Sequence, residues 1–147
     1  MKITEALLAE HVVFHSVFDH IELVAPCLET LAEVKVLGGM LAALLEHHGE
    51  AEDKLLMEPL EHRLDHLGHR DSFHHEHELI DGFLIQLQSQ TDVVAARTML
   101  LKTVQISRHH FDKEERLVFP MAEQNLSDKT LRELGQQWER QRQVATV

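Results

Sequence analysis

The stretch His47-His48-Gly49-Glu50-Ala51-Glu52-Asp53-Lys54-Leu55 returns 62 positions later as His109-His110-Phe111-Asp112-Lys113-Glu114-Glu115-Arg116-Leu117. One His-x-x-x-Glu unit therefore occurs twice in the same frame. On a helix, residues four apart lie on one face about one turn apart, so an imidazole and a carboxylate can address a common ion. Two copies imply one paired site, and the fold must bring two such helices together.

The rest of the sequence permits this. Only three prolines and six glycines interrupt 147 residues, and the apolar residues between them recur at helical spacing, which predicts an all-α chain. A first helix runs from about Thr4, as N-cap, to about Val24, with Leu7, Phe14, Phe18 and Ile21 as its seam and Pro26 closing the segment. A second starts near Thr30, where Thr30 and Glu33 have capping-box spacing, and carries Leu37, Leu41, Leu44 and Leu55 to about Pro59. Gly38 and Gly39 weaken it locally. The polar, His-rich segment from Glu61 to Asp71 reads as a connection. Asp71 or Ser72 then caps a third helix to about Gln88. The fourth begins near Asp92 and passes Met99, Thr103, Ile106 and Leu117 to about Ala122, with Pro120 bending or ending it. A shorter, charged helix over about 127–142 has Trp138 as its packing anchor. Short connections favour antiparallel neighbours, so the expected architecture is an up-down-up-down four-helix bundle, core about 4–122, with a short additional C-terminal helix. Length and a 44% apolar content fit a single domain over 1–147.

Composition excludes several classes of partner. The formal charge is -11 and basic residues form no run, so nucleic acid and anionic membranes are not expected partners. Cys27 is the only cysteine, which rules out an internal disulfide and a thiolate-rich zinc or iron-sulfur site. The N-terminus has no signal-peptide pattern, and no stretch approaches the roughly 20 apolar residues of a membrane span. A reducing cytoplasm is the expected location.

The histidines fall where hydrophobic residues belong. Leu7, His11, Phe14, Phe18 and Ile21 form one stripe on the first helix, and Phe73, His77, Ile80, Leu84 and Leu87 form another on the third. His48 continues Leu41 and Leu44 toward Leu55. His110 continues Thr103 and Ile106 toward Leu117, and Glu52 and Glu114 stand one turn on. Each helix thus sends one histidine inward. A lone histidine on an apolar face is more often a satisfied core residue than a ligand; four in register with two duplicated glutamates reverse that weighting. Buried without partners, such groups would cost several kcal/mol each, and bound cations offset that cost. The candidate metal ligands are His11, His48, Glu52, His77, His110 and Glu114. His15, one turn beyond His11, and His74, close before His77, are additional candidates as ligands or outer donors. Glu115 could replace Glu114 if the helix rotates slightly. His47, His75 and His109 point about 100° away from their useful neighbours. His20, His62, His66 and His69 read as lying on solvated faces or in the connection, and Glu50, Asp112 and Lys113 as solvated charges.

Imidazole plus carboxylate without sulfur suits iron first, and also zinc or manganese. Two six-coordinate ions offer about twelve positions, of which four imidazoles and two bridging carboxylates fill about eight. An open di-iron centre follows, with room for water, a bridging oxo or hydroxo group, or dioxygen. Neither His-Glu-x-x-His nor Glu-x-x-His occurs, so zincin and ferritin chemistry are not indicated. Cys27, beside Pro26, has no catalytic neighbourhood. The absence of tyrosine excludes a tyrosyl radical.

Glu10-His11, His48-x-x-x-Glu52, Glu76-His77-x-x-x-Asp81 and His110-x-x-x-Glu114-Glu115-x-x-Val118-Phe119-Pro120 resemble the hemerythrin-like HHE cation-binding domain, over roughly Leu7 to Phe119. The resemblance implies a four-helix bundle around a non-haem di-iron site, with His11, His48, Glu52, His77, His110 and Glu114 at metal-ligand positions. It also shows departures. Oxygen-carrying hemerythrins have two histidines four apart on the third helix, and here the earlier position is Phe73. Their last motif places the carboxylate five residues after the histidine, which would select Glu115. Bacterial and iron-sensing relatives look more like His110 with Glu114. Either His74 substitutes or that ligand is missing; its loss implies a more accessible metal and favours sensing or redox chemistry over simple oxygen carriage. Three readings follow: a di-iron protein that binds or senses dioxygen, nitric oxide or iron; a di-metal redox enzyme acting on peroxide or dioxygen; and a metal-free structural bundle. A sensor would also need a protein partner that the sequence does not identify.

Overall fold

The computed structural model describes residues 1–61 and 70–144, and no strand occurs among them. Helix α1 spans Ile3–Val24. Its N-cap is Lys2 rather than Thr4: the Glu5 carboxylate folds back to accept the Lys2 backbone N–H at 2.8 Å. Thr4 instead lies within the helix and turns its hydroxyl to Glu123. Pro26 ends the segment in a 3-10 turn, Ala25–Cys27. Helix α2, Leu31–Glu52, starts with the expected capping box, in which the Glu33 N–H donates to Thr30 Oγ1 at 3.3 Å and the Thr30 N–H to Glu33 Oε2 at 3.0 Å.

Helix α3 covers Arg70–Gln88, so the chain is already helical at Asp71 and Ser72. The connection expected over Glu61 to Asp71 falls largely outside the described residues, as do His62, His66 and His69. Helix α4, Val93–Lys113, is capped by Asp92, which accepts the Ala95 N–H at 2.8 Å. Beyond a π turn lie α5, Phe119–Asn125, and α6, Asp128–Val144. No helix among the described residues is long and apolar enough to cross a membrane.

Two apolar cores hold the helices together. One gathers Phe14, Phe18 and Ile21 of α1, Val34, Leu41 and Leu45 of α2, Ile80, Leu84 and Leu87 of α3, and Ala96, Leu100 and Val104 of α4. The other, the lower core, gathers Ile3 and Leu7 of α1, Leu55, Leu56 and Leu60 beyond α2, Phe73 of α3, Val118 beyond α4, and Leu131 and Leu134 of α6. Along each of the four long helices one core gives way to the other, and the inward histidine stands at the crossing. Gly38 has a packing role: a Cβ there would collide with the Leu87 side chain, so glycine lets α2 approach α3 closely.

The seams differ from expectation at two leucines. Leu44 and Leu117 are 47% and 40% exposed. Leu45, one helical turn after Leu41, takes the inward place on α2. The wider π turn after Glu114 shifts the phase, so Val118 rather than Leu117 turns inward.

Candidate metal centre

Between the two cores lies a polar layer. Helix α1 contributes His11, α2 contributes His48 and Glu52, α3 contributes His77, and α4 with its π turn contributes His110 and Glu114. All but His77 are at most 3% exposed, and the His77 side chain is 18% exposed. The Nε2 atoms converge on the two carboxylates. Glu52 turns Oε1 toward His48 at 3.2 Å and His11 at 3.5 Å, and Oε2 toward His77 at 3.6 Å. Glu114 turns Oε2 toward His11 at 3.4 Å, and Oε1 toward His110 at 2.8 Å and His77 at 3.7 Å. Each carboxylate thus offers one oxygen to each pair of imidazoles, the arrangement of a bridge. Two groups of potential ligand atoms result, His11-His48-Glu52-Glu114 and Glu52-His77-His110-Glu114, each with its atoms within 4.8 Å of one another.

The second ring nitrogens all face carboxylates. Nδ1 of His11 lies 3.0 Å from Glu115, that of His48 2.7 Å from Glu10, that of His110 2.7 Å from Glu76, and that of His77 3.7 Å from Asp53. Such partners fix the ring orientation, with Nδ1 facing outward and Nε2 aimed inward. The set has a local two-fold order. Glu10, beside His11, supports His48, as Glu76, beside His77, supports His110; Asp53 and Glu115, each following an inward glutamate, support His77 and His11.

The same order extends to the backbone. Immediately after Glu52 and at Glu114 the helices widen into π turns, Asp53–Met57 and Glu114–Val118, closed by the Glu58 N–H on the Asp53 carbonyl and the Phe119 N–H on the Glu114 carbonyl. In both, the next residue is proline. A proline ring clashes with the carbonyl four residues back in an α-helix, and the wider turn absorbs it, so Pro120 does not end the helical run.

Burial alone would push the imidazoles down, but the carboxylates prevail. Glu114 and Glu52 raise His11 from 6.5 to about 9. Glu52 and Glu10 raise His48 to about 10, and Glu114 and Glu52 raise His77 to about 10. His110 is raised as well, Glu114 outweighing burial and the repulsion of His77. Against their own burial, Glu52 and Glu114 are held below the ordinary carboxylate value by the surrounding imidazoles.

Even so, Glu52 Oε1 and Oε2, Glu114 Oε2 and His110 Nε2 are buried with no hydrogen-bond partner. The ion-pair distances are short, but the directions are not those of hydrogen bonds. Unpartnered, buried donors and acceptors at the centre of this polar layer fit a cation. A hemerythrin HHE cation-binding domain model matches residues 2–139. The chain belongs to the hemerythrin HHE cation-binding domain family. No curated protein and no solved structure gives a significant match.

The HHE domain binds metal ions, and among the described residues this layer brings together groups that could hold one. The additional candidates lie outside both groups. His15 accepts a hydrogen bond from Arg108 at 2.9 Å, and its Nε2 is 4.0 Å from Glu115. His74 is exposed and lines a cavity of about 340 Å³ between α2 and α3, which reaches Glu52, His77 and His110. His47, His75 and His109 are exposed, as their phase requires. Glu115 supports His11 and does not replace Glu114. Phe73 is fully buried in the lower core, its ring 6.2 Å from that of His110.

Sequence reasoning passed over the outer carboxylates Glu10, Asp53 and Glu76. A signal for them exists: Glu10-His11 and Glu76-His77 repeat a Glu-His pair, and an acid follows both Glu52 and Glu114. Lys113, read as a solvated charge, in fact binds Glu76 Oε1 and Ser72 Oγ, each at 2.8 Å.

Proposed function

We propose that the whole chain is a single hemerythrin-type domain that holds two iron ions and uses them to bind or sense dioxygen, nitric oxide or iron itself. The observation that carries this reading is the sharing of Glu52 and Glu114 between two four-residue groups, with both Glu52 oxygens, Glu114 Oε2 and His110 Nε2 left without hydrogen-bond partners. In it, His11 and His48 would hold one ion and His77 and His110 the other, with Glu52 and Glu114 within reach of both. Iron suits this nitrogen and oxygen donor set, which zinc or manganese could also occupy. When bound, an iron pair supplies redox chemistry and open positions for a small ligand. The chain's own residues keep water out with Phe14, Phe111 and Phe119, orient four imidazoles through Glu10, Asp53, Glu76 and Glu115, and leave an approach along the cavity beside His77.

The sense of the helices belongs to the same reading. An up-down-up-down bundle is supported by the alternating order in which α1 to α4 cross the two cores. Cytoplasmic placement suits the lone exposed Cys27.

A redox enzyme acting on peroxide or dioxygen is the second reading. It is favoured by Phe73 at the position where oxygen carriers have a histidine, and by the 340 Å³ cavity that reaches His77 and His110. The deciding experiment is elemental analysis of protein made with iron available, together with optical spectra before and after exposure to air. About two irons per chain with an oxo-bridge absorption supports the first reading. Peroxide turnover that is lost in His110→Ala supports the second. One zinc ion or no metal overturns both.

A further inference from the structure

The two halves of the polar layer match through the imidazoles, the shared glutamates and the outer carboxylates, and then diverge. On the α3–α4 side, the outer oxygen of Glu76 is held by Lys113 at 2.8 Å, from the same helix as His110. Lys113 is itself seated on Ser72 Oγ and on the Phe73 ring, 4.7 Å from the ring centre. On the α1–α2 side, the outer oxygen of Glu10 receives three N–H groups from α6: Arg142 Nη2 at 2.6 Å, Arg142 Nε at 2.9 Å and Trp138 Nε1 at 3.2 Å. The other Glu10 oxygen accepts His48 Nδ1 at 2.7 Å. The orientation of His48 is therefore fixed by a helix that supplies no inward group.

That helix is set firmly. Leu131 and Leu134 are buried in the lower core. Gly135 lies so close to the start of the chain that a Cβ would collide with the Met1 carbonyl oxygen. The Arg142 guanidinium stands 5.4 Å from the Trp138 ring, an arrangement that holds the fork against Glu10. Without Arg142 and Trp138, a half-buried carboxylate would keep one partner of three and could turn to solvent, freeing His48 to rotate.

We propose that Trp138 and Arg142 are positioning residues for the His11–His48 half of the metal pair, so that docking of α6 sets the affinity of one metal position while Lys113 serves the other. This rests on the two-metal reading above. It makes the two positions inequivalent although their inner residues are duplicated. It also gives the C-terminal helix a role that its packing alone does not require.

The test uses the full chain loaded with zinc. Stepwise affinity is read by competition with a chromophoric chelator, and each imidazole by long-range proton–nitrogen NMR. Arg142→Met should weaken one of the two binding steps by about 10-fold, within the range for loss of an outer partner of a metal-bound histidine. It should move the ring-nitrogen signals of His48 and leave those of His110 in place. Lys113→Met should do the reverse. Trp138→Phe keeps the ring packing and removes one N–H, so it should shift His48 in the same direction by less, and Arg142→Lys should partly restore the lost step. If Arg142→Met moves both histidines alike, weakens both steps alike or changes neither, the proposal is overturned. Failure of the unmodified chain to take up two zinc ions would instead sink the two-metal reading, and the present proposal with it.

Discussion

Loading the metal-free protein with a divalent ion should expel protons from imidazoles that the glutamates hold charged. His11 is raised to about 9, His48 and His77 to about 10, and His110 is raised as well. At pH 8 His11, His48 and His77 carry protons that must leave before Nε2 can bind a metal, and the upward shift of His110 adds to them. The expected release is therefore about three to four protons per chain on adding two equivalents of zinc. Four imidazoles with the ordinary value of about 6.5 would release only about 0.1 proton in total at that pH. A weakly buffered titration with a pH indicator, or calorimetry in buffers of different ionisation enthalpy, measures the number directly. Release of fewer than about two protons would refute the reasoning, since ionisation of metal-bound water can supply one or two on its own.

The same shifts dictate how the metal-free fold responds to pH. A group whose folded value is raised stabilises fully below its unfolded value and loses that contribution as pH rises through the folded value. The imidazole contribution is thus complete below 6.5 and disappears by about 9 to 10. The depressed glutamates contribute above 4.5 and lose their effect as pH falls through their lowered values. Thermal unfolding of chelated protein should therefore occur at the highest temperature near pH 4.5 to 6.5 and at lower temperature by pH 9, while the zinc-loaded form should show no such fall above neutrality.

Chelation at pH 7 should lower the unfolding midpoint of the metal-loaded protein. At free metal about 100 times the dissociation constant, one site contributes about 2.7 kcal/mol, or about 5–10 °C for a chain of this size, read by circular dichroism. His110→Ala should cost one of two ions by elemental analysis, whereas His109→Ala, the exposed neighbour, should retain both; equal stoichiometry in the two variants would count against the site. Gly135→Ala should destabilise by about 1–3 kcal/mol in urea unfolding, because the collision is with backbone at Met1 rather than with a movable side chain.

The four long helices and their inward residues are legible in the sequence because both rest on periodicity. His11 and His77 occupy places in apolar stripes, and a residue in such a stripe must face the core whatever its chemistry. The capping box at Thr30 is legible for the same local reason. The pairing of Glu10 with His48, and of Glu76 with His110, is not, since it depends on where one helix crosses another. Arg142 is further removed still. It lies at the end of the short, charged helix for which the sequence offers only Trp138 as an anchor, and its partner is 132 positions away. The π turns escape because the same proline signals either an end or a bend until the wider turn that accommodates it is seen. Leu117 is misplaced as a direct result, its phase being counted at α-helical spacing across a π turn.

Duplication explains why the layer can be buried at all. With all four imidazoles protonated, four positive charges stand among six nearby carboxylates: Glu52, Glu114, Glu10, Asp53, Glu76 and Glu115. Arg142 and Lys113 offset two of the outer acids, so the metal-free layer is close to neutral. Exchange of four protons for two divalent ions leaves that balance unchanged. A buried site that gained or lost several charges on loading would face the full desolvation cost in one of its two states. Here the protons stand in for the metals, and the outer carboxylates keep the same ring nitrogens in both. The helices can therefore assemble before a metal arrives, and a metal then meets imidazoles already aimed at it, which lowers the ordering cost of binding. The four inner atoms left without hydrogen bonds are what the protonated state cannot satisfy, and they supply the preference for the loaded one.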